Sequence, residues 1–106
     1  MGKNRRTNKN IKGEIIMEYR YYKNEVMAYD GNRLVGDVTF PEGKPGVVEL
    51  NSIFVVDEYQ GRGIANQLML EVIKYLEERK KVAMILCPFA EKWFSKHPEY
   101  SKYVMK

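Results

Sequence analysis

Apolar and polar positions along this chain follow two periods, and the change from one to the other divides it. Residues 15–23, 25–29 and 34–40 are short runs rich in aromatic and β-branched side chains, which predict strands. Asp30-Gly31-Asn32 lies between the last two and predicts a tight hairpin. Residues 41–46, Pro-Glu-Gly-Lys-Pro-Gly, make a loop by composition. Residues 47–56 are apolar on both faces, the pattern of a central strand covered on both sides. Strict alternation there puts Glu49, Asn51, Ile53 and Val55 on one side and Val48, Leu50, Ser52 and Phe54 on the other.

From residue 64 the period becomes helical. Ala65, Leu68, Met69, Val72 and Leu76 share one stripe, and Asn66, Gln67, Glu71, Lys74 and Glu78 face away from it. Arg79, Lys80 and Lys81 sit at the negative end of the helix dipole, so the spacing predicts a helix over 64–80. Residues 82–86 read as a short buried strand ended by Cys87-Pro88. A short helix over 89–96 follows, and His97-Pro98 stops it because proline restricts its predecessor. Residues 101–106 make a last turn or strand. The resulting fold class is α+β: mostly antiparallel strands, then one parallel, right-handed strand–helix–strand crossover.

A length of 106 residues, 44% apolar, predicts one domain with a single modest core. No apolar run reaches membrane-spanning length, and the basic N-terminus lacks the apolar stretch of a secretion signal. The single Cys87 excludes an internal disulfide and argues against a cysteine metal cluster, so no metal is assigned. One Cys and six Met fit a cytoplasmic protein. The net charge of +4 belongs to residues 1–16, which hold five basic side chains against Glu14, whereas residues 17–106 hold 13 of each sign. The expectation is a basic, flexible tail over 1–16 and a folded domain over 17–106. The tail offers the one route to a nucleic acid; a plain solvated tail, or residues upstream of a start at Met17, is favoured.

Gln60-Gly61-Arg62-Gly63-Ile64-Ala65 joins the long apolar run to the helix. A strand emptying into a glycine turn and a helix predicts a phosphate site: the backbone comes close, the first helical N–H groups lack partners, and the dipole favours an anion. A P-loop needs four residues between its glycines and a following Gly-Lys-Ser/Thr, which this turn lacks. A dinucleotide site wants a third glycine where Asn66 stands and an acidic residue where Leu86-Cys87-Pro88 stands. The spacing Gln60-x-x-Gly63-x-Ala65, between an apolar strand and an amphipathic helix, resembles the acyl-CoA signature of the GNAT superfamily of N-acetyltransferases. The resemblance covers about residues 17–106. Cys87-Pro88-Phe89-Ala90, followed by His97-Pro98-Glu99-Tyr100, is similar to the short single-domain members that carry a Cys-Pro after the crossover strand.

The resemblance implies a mixed sheet whose crossover binds acetyl-CoA in a gap between its parallel strands. The pyrophosphate would lie on Gly61, Arg62, Gly63, Ile64 and Ala65, with Gln60 beside it and the pantetheine near Ile53 and Val55. It also implies an amine acceptor, a small molecule or a protein, and a monomer or homodimer. Acetyl transfer to an amine needs a base, donors to the thioester oxygen, a proton for the thiolate and alignment. Glu49 is the sole ionisable residue of the long strand and matches a position where some members keep a catalytic glutamate; a solvated strand-start glutamate is the alternative. The tyrosine that many members use as acid is replaced by Phe94, so Tyr100 or Tyr103 would have to substitute. Cys87 at the crossover strand's end is either a nucleophile near the thioester or a small buried hydrophobe. Two functions follow: an acetyl-CoA-dependent N-acetyltransferase, or a module that binds acetyl-CoA with weak or no catalysis.

Overall fold

A computed structural model describes residues 5–9 and 16–105, with side chains from 17 onward. The elements run β1 (Arg5–Lys9), β2 (Ile16–Tyr22), β3 (Glu25–Asp30), β4 (Arg33–Thr39), β5 (Val47–Leu50), β6 (Ser52–Val55), α1 (Ile64–Arg79), β7 (Val82–Ile85) and α2 (Pro88–Ser95). Short 3-10 turns at Asp57–Tyr59 and Pro98–Tyr103 complete them. Five antiparallel strands pair in the order β1-β2-β3-β4-β6, and β5 pairs with β7 in parallel. The mixed α+β sheet with one parallel crossover matches the expectation from the sequence.

Three differences matter. Residues 47–56 are two strands, not one, with the break at Asn51. Val48 and Leu50 are fully buried before it, but after it Phe54 is 46% exposed while Ile53 and Val55 pack on the core. The extra residue slips the alternation by one position, so the apolar side of β6 is the odd one. Second, Glu71, expected on the solvent face of α1, is 2% exposed. Gln67 donates to it at 2.8 Å, and it faces Tyr19, whose hydroxyl is pushed up to about 12 by burial and then by Glu71. Third, Arg5–Lys9 pairs with β2 inside a stretch expected to be a tail; strand pairing is a main-chain property that a charged sequence does not forbid. Residues 1–4 and 10–15 lie outside the described residues.

The core forms where α1 crosses the sheet. Leu68, Val72 and Leu76 reach the α1 side of β3 and β4, where Val26, Ala28, Val35 and Val38 are likewise fully buried. Each of the valines and leucines contributes about 1.5–3 kcal/mol by leaving water. Gly36 lets the start of α1 come down on β4: a Cβ there would lie 3.3 Å from both Ile64 and Leu68 and 3.2 Å from the Phe54 carbonyl. Among the described residues no helix is long and apolar enough to cross a membrane.

Candidate functional site

The break at Asn51 makes the site. Up to Leu50 the chain bonds to β7, and Leu86 N–H still reaches the Leu50 carbonyl at 3.0 Å. Beyond Asn51 the partner is β4, through pairs such as Val38–Ile53 and Asp37–Phe54. Meanwhile the chain after β7 turns at Cys87-Pro88 into α2. The two paths diverge, and β6 keeps one edge unpaired among the described strands. An unpaired edge offers main-chain N–H and C=O groups to any extended amide.

A cleft of ≈ 490 Å³ lies along that edge, walled by Ile53, Phe54 and Val55 of β6, by Tyr59 through Gly61 and Gly63 through Asn66 excluding Arg62, and by Phe89 of α2. Its floor is the N-terminus of α1. Gly63 caps that helix in the left-handed region (φ +83°), with no side chain bonded to the first turn and no acidic residue in it. The Gln67 N–H bonds back to the Gly63 carbonyl, so the free donors are those of the residues ahead of it. An α-helix whose first turn has neither side-chain cap nor carboxylate, opening on a cavity, is built for an anion.

Gln60 does not offer its amide to the cleft. Its Nε2 donates to the Val55 carbonyl at 3.1 Å and lies 3.4 Å from Asp57 Oδ1, which ties the turn to the end of β6. Arg62 stacks over the Tyr59 ring at 4.7 Å, and Arg33 lies over the same ring at 5.3 Å. The Tyr59 hydroxyl donates to Asp30, which raises its pKa above the ordinary phenol value. A tyrosine fixed at its tip thus carries two guanidinium groups at the rim of the glycine turn. On the far wall, Trp93 Nε1 donates to Asn66 Oδ1 at 2.8 Å and joins α2 to the first turn of α1. His97 stacks on Trp93 at 4.0 Å and its Nδ1 donates to the Trp93 carbonyl at 2.7 Å; Tyr100 stacks on Trp93 at 5.7 Å.

Of the residues expected to hold the ligand, Ile53, Val55, Gln60, Gly61, Gly63, Ile64 and Ala65 line the cleft, and Arg62 stands at its rim. The three residues expected to do chemistry are not among its walls. Glu49 lies before the strand break, its carboxylate folded against Gly43, whose missing Cβ would sit 2.5 Å away. Cys87 is the N-cap of α2 and 8% exposed, two residues before Phe89. Tyr100 belongs to the Trp93–His97 stack. Phe94 is buried, in edge contact with Trp93. The wall residues Phe54, Tyr59, Asn66 and Phe89 did not stand out in the sequence. Phe54 was hidden by the slipped register; two exposed phenylalanines either side of a glycine turn are the signal that points to them.

A family model for GCN5-related N-acetyl-transferases matches residues 20–104. The chain is also similar to the solution structure of a GCN5-like protein from Staphylococcus aureus, with a TM-score of 0.69 and 19% identity over 82% of this chain and 86% of that one. That second likeness is one of fold. No curated protein matches the chain at the same stringency.

Proposed function

The chain belongs to the GCN5-related N-acetyltransferase family, and on that premise we propose that it moves an acetyl group from acetyl-CoA to an amine. The observation that carries this reading is the uncapped N-terminus of α1 opening on a ≈ 490 Å³ cleft beside the free edge of β6. The residues fit the group. Gly63 to Asn66 present main-chain donors suited to a pyrophosphate, Arg62 and Arg33 add charge at the rim, and the Ile53–Val55 edge suits an amide-bearing arm. When bound, acetyl-CoA supplies a thioester whose acyl carbon is open to an amine. The protein's part is to fix the anion, lay the arm along β6, and shield it between Phe54 and Phe89.

Calorimetry with the full chain tests this directly. Acetyl-CoA and CoA should both bind, and the absence of heat and of competition at millimolar ligand would end the proposal. A second reading, an acetyl-CoA-binding module with weak or no transfer, draws support from Phe94 at the expected acid position and from Glu49 and Tyr100 standing away from the cleft walls. Sustained release of CoA thiol with any primary amine rejects the second reading. Within the first, Glu49→Gln should leave CoA affinity intact and lower transfer if Glu49 is the base. The Cys87 thiol, as an acyl acceptor, would be revealed by an acetylated protein mass that Cys87→Ala abolishes.

A further inference from the structure

The five-stranded sheet has a face that α1 does not touch. Gly36 and Val38 point to α1, so Asp37 points away, across from Met27 on β3 and Phe54 on β6. Glu25 lies on the same side, diagonal to Asp37 through the Glu25–Thr39 pair. Among the described residues no helix covers this face, and Tyr22, Leu34 and Phe54 stand 37–46% exposed on it. Yet Asp37 is 7% exposed, hemmed in by its neighbours; among the described residues no cation and no donor reaches it, and its one side-chain partner is the Glu25 carboxylate, to which its own protonated carboxyl donates. A nearly buried carboxylate normally has a cation or several N–H groups to hold it.

Resting on the function proposed above, we propose that this uncovered face is the acceptor site, with Asp37 and Glu25 receiving a protonated primary amine whose apolar arm lies against Phe54 and Met27. Among the described residues neither carboxylate has a counter-ion; Met27 and Phe54 flank Asp37 and Thr39 stands beside Glu25, an arrangement complementary to an ammonium on an apolar arm. Phe54 is shared: it walls the acyl-CoA cleft and is the cross-strand neighbour of Asp37, so both reactants meet at β6. Burial and then Glu25 push the Asp37 carboxyl up to about 7, into the range of a general base at neutral pH. The ammonium gives one proton to Asp37. The freed nitrogen pair forms the C–N bond, the thioester C–S bond breaks with its pair leaving on sulfur, and the second nitrogen proton ends on that sulfur. Asp37 returns its proton to solvent. Among the described side chains the other titratable groups on this face are Tyr29 on β3 and Glu18, Arg20 and Tyr22 on β2; Arg20 is bound to Glu18 at 3.0 Å and lies over Tyr29, β6 adds Ser52 and Phe54, and β1 places Arg5 across from Arg20 by register.

The test is a carboxyl-resolved NMR titration of the full chain, first free and then with 2-phenylethylamine at millimolar concentration. Asp37 should titrate near neutrality, and the amine should shift Asp37 and Phe54 and lower the Asp37 midpoint, since a cation favours the carboxylate. Asp37→Asn should abolish these shifts, lower kcat/KM for amines by at least about tenfold and remove its rise near pH 7, with acetyl-CoA affinity unchanged. Should that variant fail to fold, Glu25→Gln must lower the Asp37 midpoint and weaken the amine shifts. Shifts that bypass Asp37 and Phe54, or an unaltered pH profile in the variants, overturn the proposal. So does a dimer that Phe54→Asp dissociates, which would give the face to a second copy. If acetyl-CoA fails to bind but the amine shifts appear, the function falls and the amine site stands.

Discussion

The two faces of the five-stranded sheet are built from the same strands and do different things. Toward α1, β3 and β4 present Val26, Ala28, Val35 and Val38, all without exposed area, and α1 seals them with Leu68 and Leu76. Away from α1 the same two strands present Glu25, Met27 and Asp37, and β6 adds the exposed Phe54. One face gains its free energy from removing hydrocarbon from water. The other holds a carboxyl pair at a cost and keeps aromatic surface wet, which stability alone does not explain.

The sharpest way to break this division is to compare truncations on the two faces. Leu68→Ala removes a fully buried side chain under which Gly36 leaves no slack, and should lower stability by about 3 kcal/mol in urea unfolding. Phe54→Ala, though it removes more atoms, should cost under about 1 kcal/mol because nearly half of the side chain is already in water. Equal losses would mean that the outer face is part of the core.

Next in size is the pH dependence of Asp37. Its folded carboxyl titrates at about 7 against 3.8 unfolded, so between those values the folded chain holds a proton that the unfolded chain has lost. Its contribution to stability is therefore complete below pH 4 and is lost as the pH rises to 7. Asp37→Asn, neutral at every pH, should be more stable than the parent by about 2 kcal/mol at pH 8, and that gain should vanish at pH 4. Thermal melts at the two pH values check it. A pH-independent difference would place the carboxyl in solvent.

Gly63→Ala moves the question to the cleft. The added Cβ meets nothing within 4 Å, so its cost is purely that of a left-handed backbone at φ +83°, about 1 kcal/mol. Because the first-turn N–H groups of α1 hang from this residue, acetyl-CoA affinity should fall by about tenfold, more than the stability change implies. Calorimetry beside a melt separates the two effects. A loss of stability with no loss of affinity would detach the turn from the ligand.

How much of this was legible in the sequence follows the same division. The hairpin at Asp30-Gly31, the helix that runs Ile64–Arg79 and the strand–turn–helix at Gly63 are local signals carried by residue type and period. The slip at Asn51 is not local. It comes from Leu50 bonding toward β7 while Thr39 receives the Asn51 N–H from the other side, and a run apolar on both faces conceals which side each residue serves. Asp37 reads as an ordinary polar position between Gly36 and Val38; its burial is decided by cross-strand neighbours that no window of sequence contains. The glycine turn proposed for the ligand is therefore visible from sequence, and the face proposed for the acceptor is not.

The smallest effect tests the rim of the cleft. Arg33 pairs with Glu58 at 2.9 Å with side chains 52% and 67% exposed, so the ion pair contributes only a few tenths of a kcal/mol to folding. Glu58→Gln should leave the melting curve within about 0.3 kcal/mol of the parent. It nevertheless removes the carboxylate that pairs with Arg33 while that guanidinium lies over Tyr59, beside Arg62. The rim gains a net positive charge where the proposed phosphate-bearing ligand would enter. Association of acetyl-CoA should quicken about twofold at low ionic strength, and the gain should disappear at 0.5 M salt, where screening acts within about 4–5 Å. Stopped-flow binding at the two salt concentrations reads this out. An association rate indifferent to both the charge and the salt would show that the ligand does not approach over Tyr59, and would leave the first turn of α1 as the sole electrostatic feature that draws it in.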